Sequence, residues 1–359
     1  MSGSRKDDHV RLAVAQHETH HANAPTGADR SHSQFDDVHF VHHALAGTDR
    51  ERITLRTCFA GLGWPVPLYI NAMTGGSTMT GEINRDLAIA AHATGLPIAS
   101  GSMSPYLKDP STASTFTPLR RRNPDGFVMA NLNANATGEQ ARKAVALLDA
   151  NALQIHLNTV QETVMPEGDR SFGHWPAGIE RIVAAVDVPV IVKEVGFGLS
   201  GATVTRLAEL GVAVADVAGR GGTDFARIEN GRRPQADYTY LRGWGLSTPA
   251  ALLDAHGHGL PLLASGGIRH PLDAVRALAL GAHAAGASAP FLTTLLKDGL
   301  DALIEQITTW LDHLTSLMTL LGAHTPADLT RTDLLVTGSL REFCLQRGID
   351  PANPQEGNP

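Results

Sequence analysis

Two cysteines, Cys58 and Cys344, are all that 359 residues contain. At most one disulfide is possible, so no disulfide framework supports the fold, and a reduced, cytoplasmic setting is expected. No apolar run reaches the length that spans a bilayer, and mean hydropathy is -0.07. The opening MSGSRKDDHV is polar and has no apolar stretch of the kind a secretory signal requires. Excess positive charge is missing too. The net charge is -7 and the pI about 6.2, which argues against nucleic acid as a partner and leaves small anions open, because local basic groups decide those. What is present is ordinary for a soluble globular protein: 43% hydrophobic and 18% charged residues, enough for one large core. The 17 histidines are scattered, densest between His9 and His43, and most read as surface residues.

Residues 1–66 are polar and rich in His and Asp, and read as an N-terminal extension packed around a domain. From residue 67 a rhythm begins. Apolar runs at 68–73, 97–102, 127–132, 152–157, 189–195, 212–219, 261–267 and 283–288 end in Gly, Asn, Ser or charged residues. Helical patterns at 83–95, 136–150, 200–211, 247–257 and 270–282 lie between them, several with a Ser or Thr start and a Gly stop. Alternation of this kind implies parallel βαβ units, and eight of them imply a closed (β/α)8 barrel, an α/β fold spanning 67–359 with C-terminal helices after residue 295. The open doubly wound alternative would want G-x-G-x-x-G after its first strand, and none is there.

Functional groups in such a barrel gather where strands end. SGGIRHPLDA (265–274) and GAHAAGASAPFL (281–292) are strand–turn–helix units with small turns, suited to bringing backbone N–H groups and a helix N-terminus to a phosphate; Arg269 would add charge. In VKEVGFG (192–198), alternation sends one of Lys193 and Glu194 inward and the other outward, and an inward lysine is costly unless it meets a ligand. His156, Asn158, Gln161 and Glu162 crowd together just past the fourth run. A lone carboxylate among amides suits Mg²⁺ shared with substrate phosphates better than zinc, which wants three protein ligands. GRGGTDF (219–225) and NAMTGGS (71–77) permit close backbone approach to a flat or anionic ligand. RKDDH (5–9) reads by itself as a solvated charge run, yet its cations would suit a diphosphate if the extension folds over the barrel mouth.

Taken in order, RKDDH, NAMTGG, QIHLN-x-x-QE, MPEGDRSF, VKEVGFG, GRGGT, SGGIR and TGSLREF resemble the type 2 isopentenyl-diphosphate isomerases over nearly the whole chain. The resemblance implies a flavin barrel that interconverts isopentenyl and dimethylallyl diphosphate without net redox. It further implies reduced FMN, Mg²⁺, NADPH or NADH as reductant, and a homo-oligomer of four or more subunits. By the same likeness, Ala72, Met73, Thr74, Gly75, Ser102, Asn131, Lys193 and Thr223 are FMN contacts. Gly267, Ile268, Arg269, Ser288 and Ala289 form the flavin phosphate cradle. Arg5, Lys6, His9, Ser102, Ser104, His156, Asn158 and Gln161 face substrate, with His156, Gln161 and Lys193 in catalytic positions and Glu162 on the metal. Residues 1–66 then act as a substrate lid.

Two positions depart from the family pattern. Ser104 stands where many members have arginine, and Ala218 where serine is common, so one substrate charge and one flavin hydrogen bond are in question. The nearest rival is an FMN-dependent α-hydroxy-acid oxidoreductase, which would carry a base histidine in the turn occupied here by GRGGTDF.

Overall fold

Each apolar run is too short to be a core helix and is followed by a segment that returns the chain to the same edge, so the runs pair in parallel. In a computed structural model, which describes residues 2–22 and 33–351 (backbone course alone for 2–6 and 19–22), the strands are β1 Leu68–Ile70, β2 Ile98–Ala99, β3 Val128–Asn133, β4 Ala152–His156, β5 Val190–Lys193, β6 Val214–Asp216, β7 Leu262–Ser265 and β8 Ala282–Ala287. They form a closed barrel, β8 pairing back onto β1 through Ala285↔Leu68, Gly286↔Tyr69 and Ala287↔Ile70. The expected (β/α)8 barrel is therefore the observed fold, with every strand on the run assigned to it; only β3, at Asn133, and β8, at Ala282, reach one residue past theirs. No helix among the described residues is long and apolar enough to cross a membrane.

Alternation along each strand decides what fills the barrel. One residue per strand points inward to make a floor layer: Tyr69, Ala99, Met129, Ala152, Ile191, Val214, Leu263 and Ala284. Tyr69 takes so much of the space that a Cβ on Gly286, across the β8–β1 seam, would come within 2.4 Å of its ring. The alternate residues, such as Leu68, Ile70, Leu153 and Val192, face outward into a second apolar layer beneath the helices. Side-chain caps start those helices where the sequence offers hydroxyls or, once, an imidazole: Ser77 for Thr78–Thr94, Thr137 for Gly138–Leu148, Ser200 for Gly201–Glu209, Ser247 for Thr248–Ala255 and His270 for Pro271–Ala279.

The extension is more integrated than its composition suggests. Its last part is an antiparallel hairpin, Thr57–Phe59 and Leu62–Trp64, that closes the bottom of the barrel. Trp64 is fully buried there, its ring centroid 5.0 Å from Phe59, 5.4 Å from Tyr69 and 5.3 Å from Phe127. The strand Val38–Phe40 pairs antiparallel with Leu334–Val336, tying the extension to the C-terminal tail. Truncating the plug should open a cavity under the floor layer. Trp64→Ala should cost about 3–5 kcal/mol in urea unfolding, the range for a buried large aromatic; a loss below about 1 kcal/mol would mean that the hairpin does not seal the barrel.

Candidate active site

A cavity of about 1520 Å³ opens at the C-terminal ends of the strands. Of the site residues expected from the sequence, those with described side chains all line it except Gly75. Gly75 lies behind the wall, where a Cβ would strike the Phe116 ring at 2.0 Å, so its role is to let β1's loop pack. The side chains of Arg5 and Lys6 lie outside the described residues, although both belong to the leader helix Ser2–Ala22.

The cavity rim at the ends of β6 to β8 is built chiefly from backbone. Gly266 and Gly267 adopt φ of 90° and 77°, conformations that favour glycine. They press against the β6 turn: a Cβ on Gly266 would lie 2.0 Å from the Gly219 carbonyl, and one on Gly267 3.0 Å from Gly221. The helix Ala289–Asp298 starts at the same rim, presenting its positive dipole end. Arg269 departs from expectation. Its guanidinium is already engaged by Asp36 at 2.6 and 3.0 Å and by Asp273 at 2.7 and 3.0 Å, and its own N–H donates to Asp273. Its charge is thus balanced before any ligand arrives.

Lys193 and Glu194 also depart from simple alternation, because β5 ends at Lys193 and the chain turns at Gly196, φ 134°. Both are buried. Lys193 faces the cavity, its Nζ donating to the Glu194 carbonyl at 2.5 Å, and burial holds its pKa below the ordinary value. Glu194, instead of pointing outward, folds back so that Oε2 accepts the N–H groups of Val195, Gly196 and Phe197. Burial pushes its carboxyl up to about 7 against those three donors.

Two acidic residues that sequence reasoning missed organise the rest. Asp216, the last residue of β6, is wholly buried and accepts from Tyr69 Oη at 2.7 Å, Ser265 Oγ at 2.8 Å, Asn71 Nδ2 at 3.2 Å and the Ala218 N–H at 3.2 Å. An Asp inside the run VAVADVAG was its only signal. Glu229, in the helix Phe225–Gly231, carried no pattern at all. Its buried carboxylate accepts from Gln161 Nε2 at 3.0 Å, pairs with Arg232 at 2.5 Å and has His9 Nε2 at 3.1 Å. Asn158 Nδ2 donates to Gln161 Oε1 at 3.2 Å and to Glu162 Oε1 at 3.0 Å, while Glu162 Oε2 accepts the Asp169 N–H at 2.8 Å. His9, Asn158, Gln161 and Glu162 therefore belong to one network.

His9 joins the leader helix to this network, and further contacts dock it, so among the described side chains of 5–9 both Asp7 and His9 are engaged. Ser77 Oγ donates to Asp7 at 2.6 Å, and Gln16 exchanges two hydrogen bonds with the Asp224 backbone. Thr74 Oγ1 and Asn158 Oδ1 are buried on the cavity wall with no partner among the described residues. Buried polar atoms of this kind mark where a ligand's polar groups fit.

The sequence matches the FMN-dependent dehydrogenase family over residues 115–336. Proteins named isopentenyl-diphosphate delta-isomerase from Streptomyces sp. strain CL190 and Nocardia farcinica are 65% and 60% identical to it, over 97% and 98% of this chain and 94% and 95% of theirs. The chain belongs to the FMN-dependent isopentenyl-diphosphate delta-isomerase family. The fold of this family is shared with distant flavin barrels. A flavocytochrome b2 mutant with benzoylformate superposes with TM-score 0.64 at 18% identity, covering 87% of this chain and 79% of that one. A mandelate oxidase variant with 2-hydroxy-phenylacetamide gives 0.60 at 16%, covering 91% and 99%. Both likenesses concern architecture alone. The glycine cradle, the buried lysine and the orphaned Thr74 hydroxyl of this isomerase-family barrel are compatible with a flavin and its phosphate.

Glu229 makes the stability of the fold pH-dependent in a defined direction. Burial alone would raise its carboxyl, but the close contact with His9 and the hydrogen bonds from Gln161 and Arg232 outweigh burial and hold it down to about 2. A depressed carboxylate contributes stability that is present above the unfolded-state value, near 4.5, and lost as pH falls towards 2. The unfolding free energy of the natural protein minus that of Glu229→Gln should be on the order of 2–3 kcal/mol above pH 5 and shrink towards zero near pH 2. A difference that does not change with pH would show that Glu229 is not held in this way.

Proposed function

We propose that this protein interconverts isopentenyl and dimethylallyl diphosphate, with bound FMN on the strand ends and substrate between the flavin and the leader helix. The observation that carries the reading is the link from His9 through Glu229 to Gln161. It brings the leader to the very side chains that would face the reacting carbons.

Reduced flavin, when bound, supplies the proton donor and acceptor for the allylic shift of the double bond, with no net electron transfer. The chain's own residues do the rest. Ala72 to Thr74, Ser102, Asn131, Lys193 and Thr223 would hold the ring, and the buried ammonium of Lys193 would stabilise negative charge on it. The Gly267–Arg269 segment and the Ser288–Ala289 turn would hold its phosphate, chiefly through backbone. Gln161, clamped at both ends of its amide by Asn158 and Glu229, would fix the alkene's position with little motion.

Diphosphate recognition falls to Arg5, Lys6, His9, Ser104, Asn158 and His156, and exclusion of water to the leader, the part of the 1–66 extension that would act as lid to the barrel of 67–359, since residues 57–64 plug the barrel's opposite end. Glu162 suits Mg²⁺ held jointly with substrate phosphates, because Mg²⁺ commonly takes one or two carboxylates and keeps other positions for phosphate and water. Among the described residues no group of three His, Cys, Asp or Glu side chains gathers to hold a metal by protein alone, which favours the shared arrangement. NADPH or NADH would reduce the flavin, in a cytoplasmic homo-oligomer of four or more subunits.

An anaerobic assay with isopentenyl diphosphate, FMN, Mg²⁺ and a reductant tests the activity. Glu162→Gln should lower turnover by about 100-fold or more while the protein stays yellow with FMN. Unchanged activity of that variant at limiting Mg²⁺ would remove Glu162 from the metal. Reduction of the flavin by a small α-hydroxy acid would favour the oxidoreductase instead.

A further inference from the structure

Across the barrel beneath the cavity runs a chain of side-chain amides, of which only Asn131 has been given a role above. Its members sit just past the end of β1 and on the inward faces of β3, β4 and β6, in the layer above the apolar floor. Asn71 Nδ2 donates to Asp216 at 3.2 Å, Gln154 Nε2 to Asn71 Oδ1 at 3.4 Å, and Asn131 Nδ2 to Gln154 Oε1 at 3.1 Å. His156 Nδ1 lies 2.8 Å from Asn131 Oδ1. Asn71, Asn131, Gln154 and Asp216 are all buried, Gln154 and Asp216 completely.

An amide can in principle be turned end for end, so the direction of such a chain has to come from groups that cannot exchange roles. Two are present at one end. The backbone N–H of Ala72 can only donate, and it donates to Asn71 Oδ1 at 2.7 Å. Asp216 receives four donors on its two oxygens, from Tyr69, Ser265, Asn71 and the Ala218 N–H. Both demand that Asn71 place its oxygen towards Ala72 and Gln154 and its nitrogen towards Asp216. Gln154 must then point its nitrogen at Asn71 and its oxygen at Asn131. Asn131 must donate to Gln154 and turn its oxygen to His156, and an oxygen there requires a proton on Nδ1.

We propose that Gln154 is a positioning residue: it carries the hydrogen-bond direction set by Ala72, Asn71 and Asp216 to Asn131, so that the neutral His156 ring bears its proton on Nδ1 and its lone pair on Nε2. The consequence deepens the reading of His156 as a substrate-side group, and rests on that reading for its catalytic meaning. The neutral ring can accept a proton or hydrogen bond at Nε2 and can donate there only as the imidazolium. Turned amides along the chain, each exchanging only its own nitrogen and oxygen, would invert that chemistry.

The tautomer is measurable without turnover. In FMN-loaded protein labelled with ¹⁵N-histidine, the signals that vanish in His156→Gln belong to His156, and their pattern tells Nδ1–H from Nε2–H. The expected result is a single Nδ1–H tautomer. Gln154→Leu removes the relay and should lose that purity, giving a mixture of tautomers. Gln154→Glu should restore it, because a buried protonated carboxyl can donate to Asn71 and accept from Asn131 just as the amide does. An Nε2–H ring in the natural protein overturns the proposal, as does a Gln154→Leu protein whose tautomer is unchanged. Should Gln154→Leu fail to fold, the natural protein and Gln154→Glu decide it: both must show Nδ1–H, and a changed tautomer in Gln154→Glu contradicts the relay. A protein with the expected tautomers but no isomerase activity would leave the relay standing and reject the function proposed above.

Discussion

A carboxylate taken out of water must be surrounded by donors or it destabilises the fold that buries it. Glu229 is such a group at the barrel mouth, and the arrangement of the candidate site follows from satisfying it. Gln161 donates from the β4 loop, Arg232 from one turn further along the helix, and His9 approaches from the leader. These are three separate parts of the chain, more than 200 residues apart at the extremes, and one buried anion brings them to a common point. The leader is held across the mouth by this pairing together with the Asp7–Ser77 and Gln16–Asp224 contacts.

The same logic operates deeper in the barrel. Asp216 is satisfied by four donors from β1 and its end, from β7 and from the turn after β6, and Glu194 by three successive backbone N–H groups. A chain of net charge -7 therefore places its buried acids against internal donors, and a site for an anion can coexist with them. The proposed phosphate cradle draws on glycine backbone and a helix N-terminus, while Arg269, the obvious cation, is engaged by Asp36 and Asp273. Overall charge was a poor guide to the ligand because the attraction is local.

The barrel was legible because its strands are short apolar runs bounded by small or polar residues, and its helices open on Ser or Thr caps. The strand ends named the cavity wall almost completely. What stayed hidden has physical reasons. Alternation assigned opposite directions to Lys193 and Glu194, but the strand stops between them and the glutamate curls into its own turn. The leader has a weak apolar pattern, since it docks through Asp7, His9 and Gln16, and polar docking leaves no periodic trace. Residues 57–64 belong to the barrel floor although they precede its first strand, because the plug is a hairpin packed through Phe59 and Trp64. Glu229 and Asp216 were invisible for the same cause: a single acid acquires meaning only from partners distant in sequence.

The central claim is that this barrel holds a flavin for proton transfer and consumes no electrons in each turnover. An oxidoreductase must give up one reductant per product, whereas an isomerase needs its flavin reduced only once. The direct measurement is stoichiometry: reduce the bound FMN with light in the absence of oxygen, remove free reductant, add isopentenyl diphosphate, and count dimethylallyl diphosphate formed per flavin. Many products per flavin, with the flavin still reduced at the end, is the result this account predicts. Product that stops at one per flavin, with the flavin reoxidised, would contradict it.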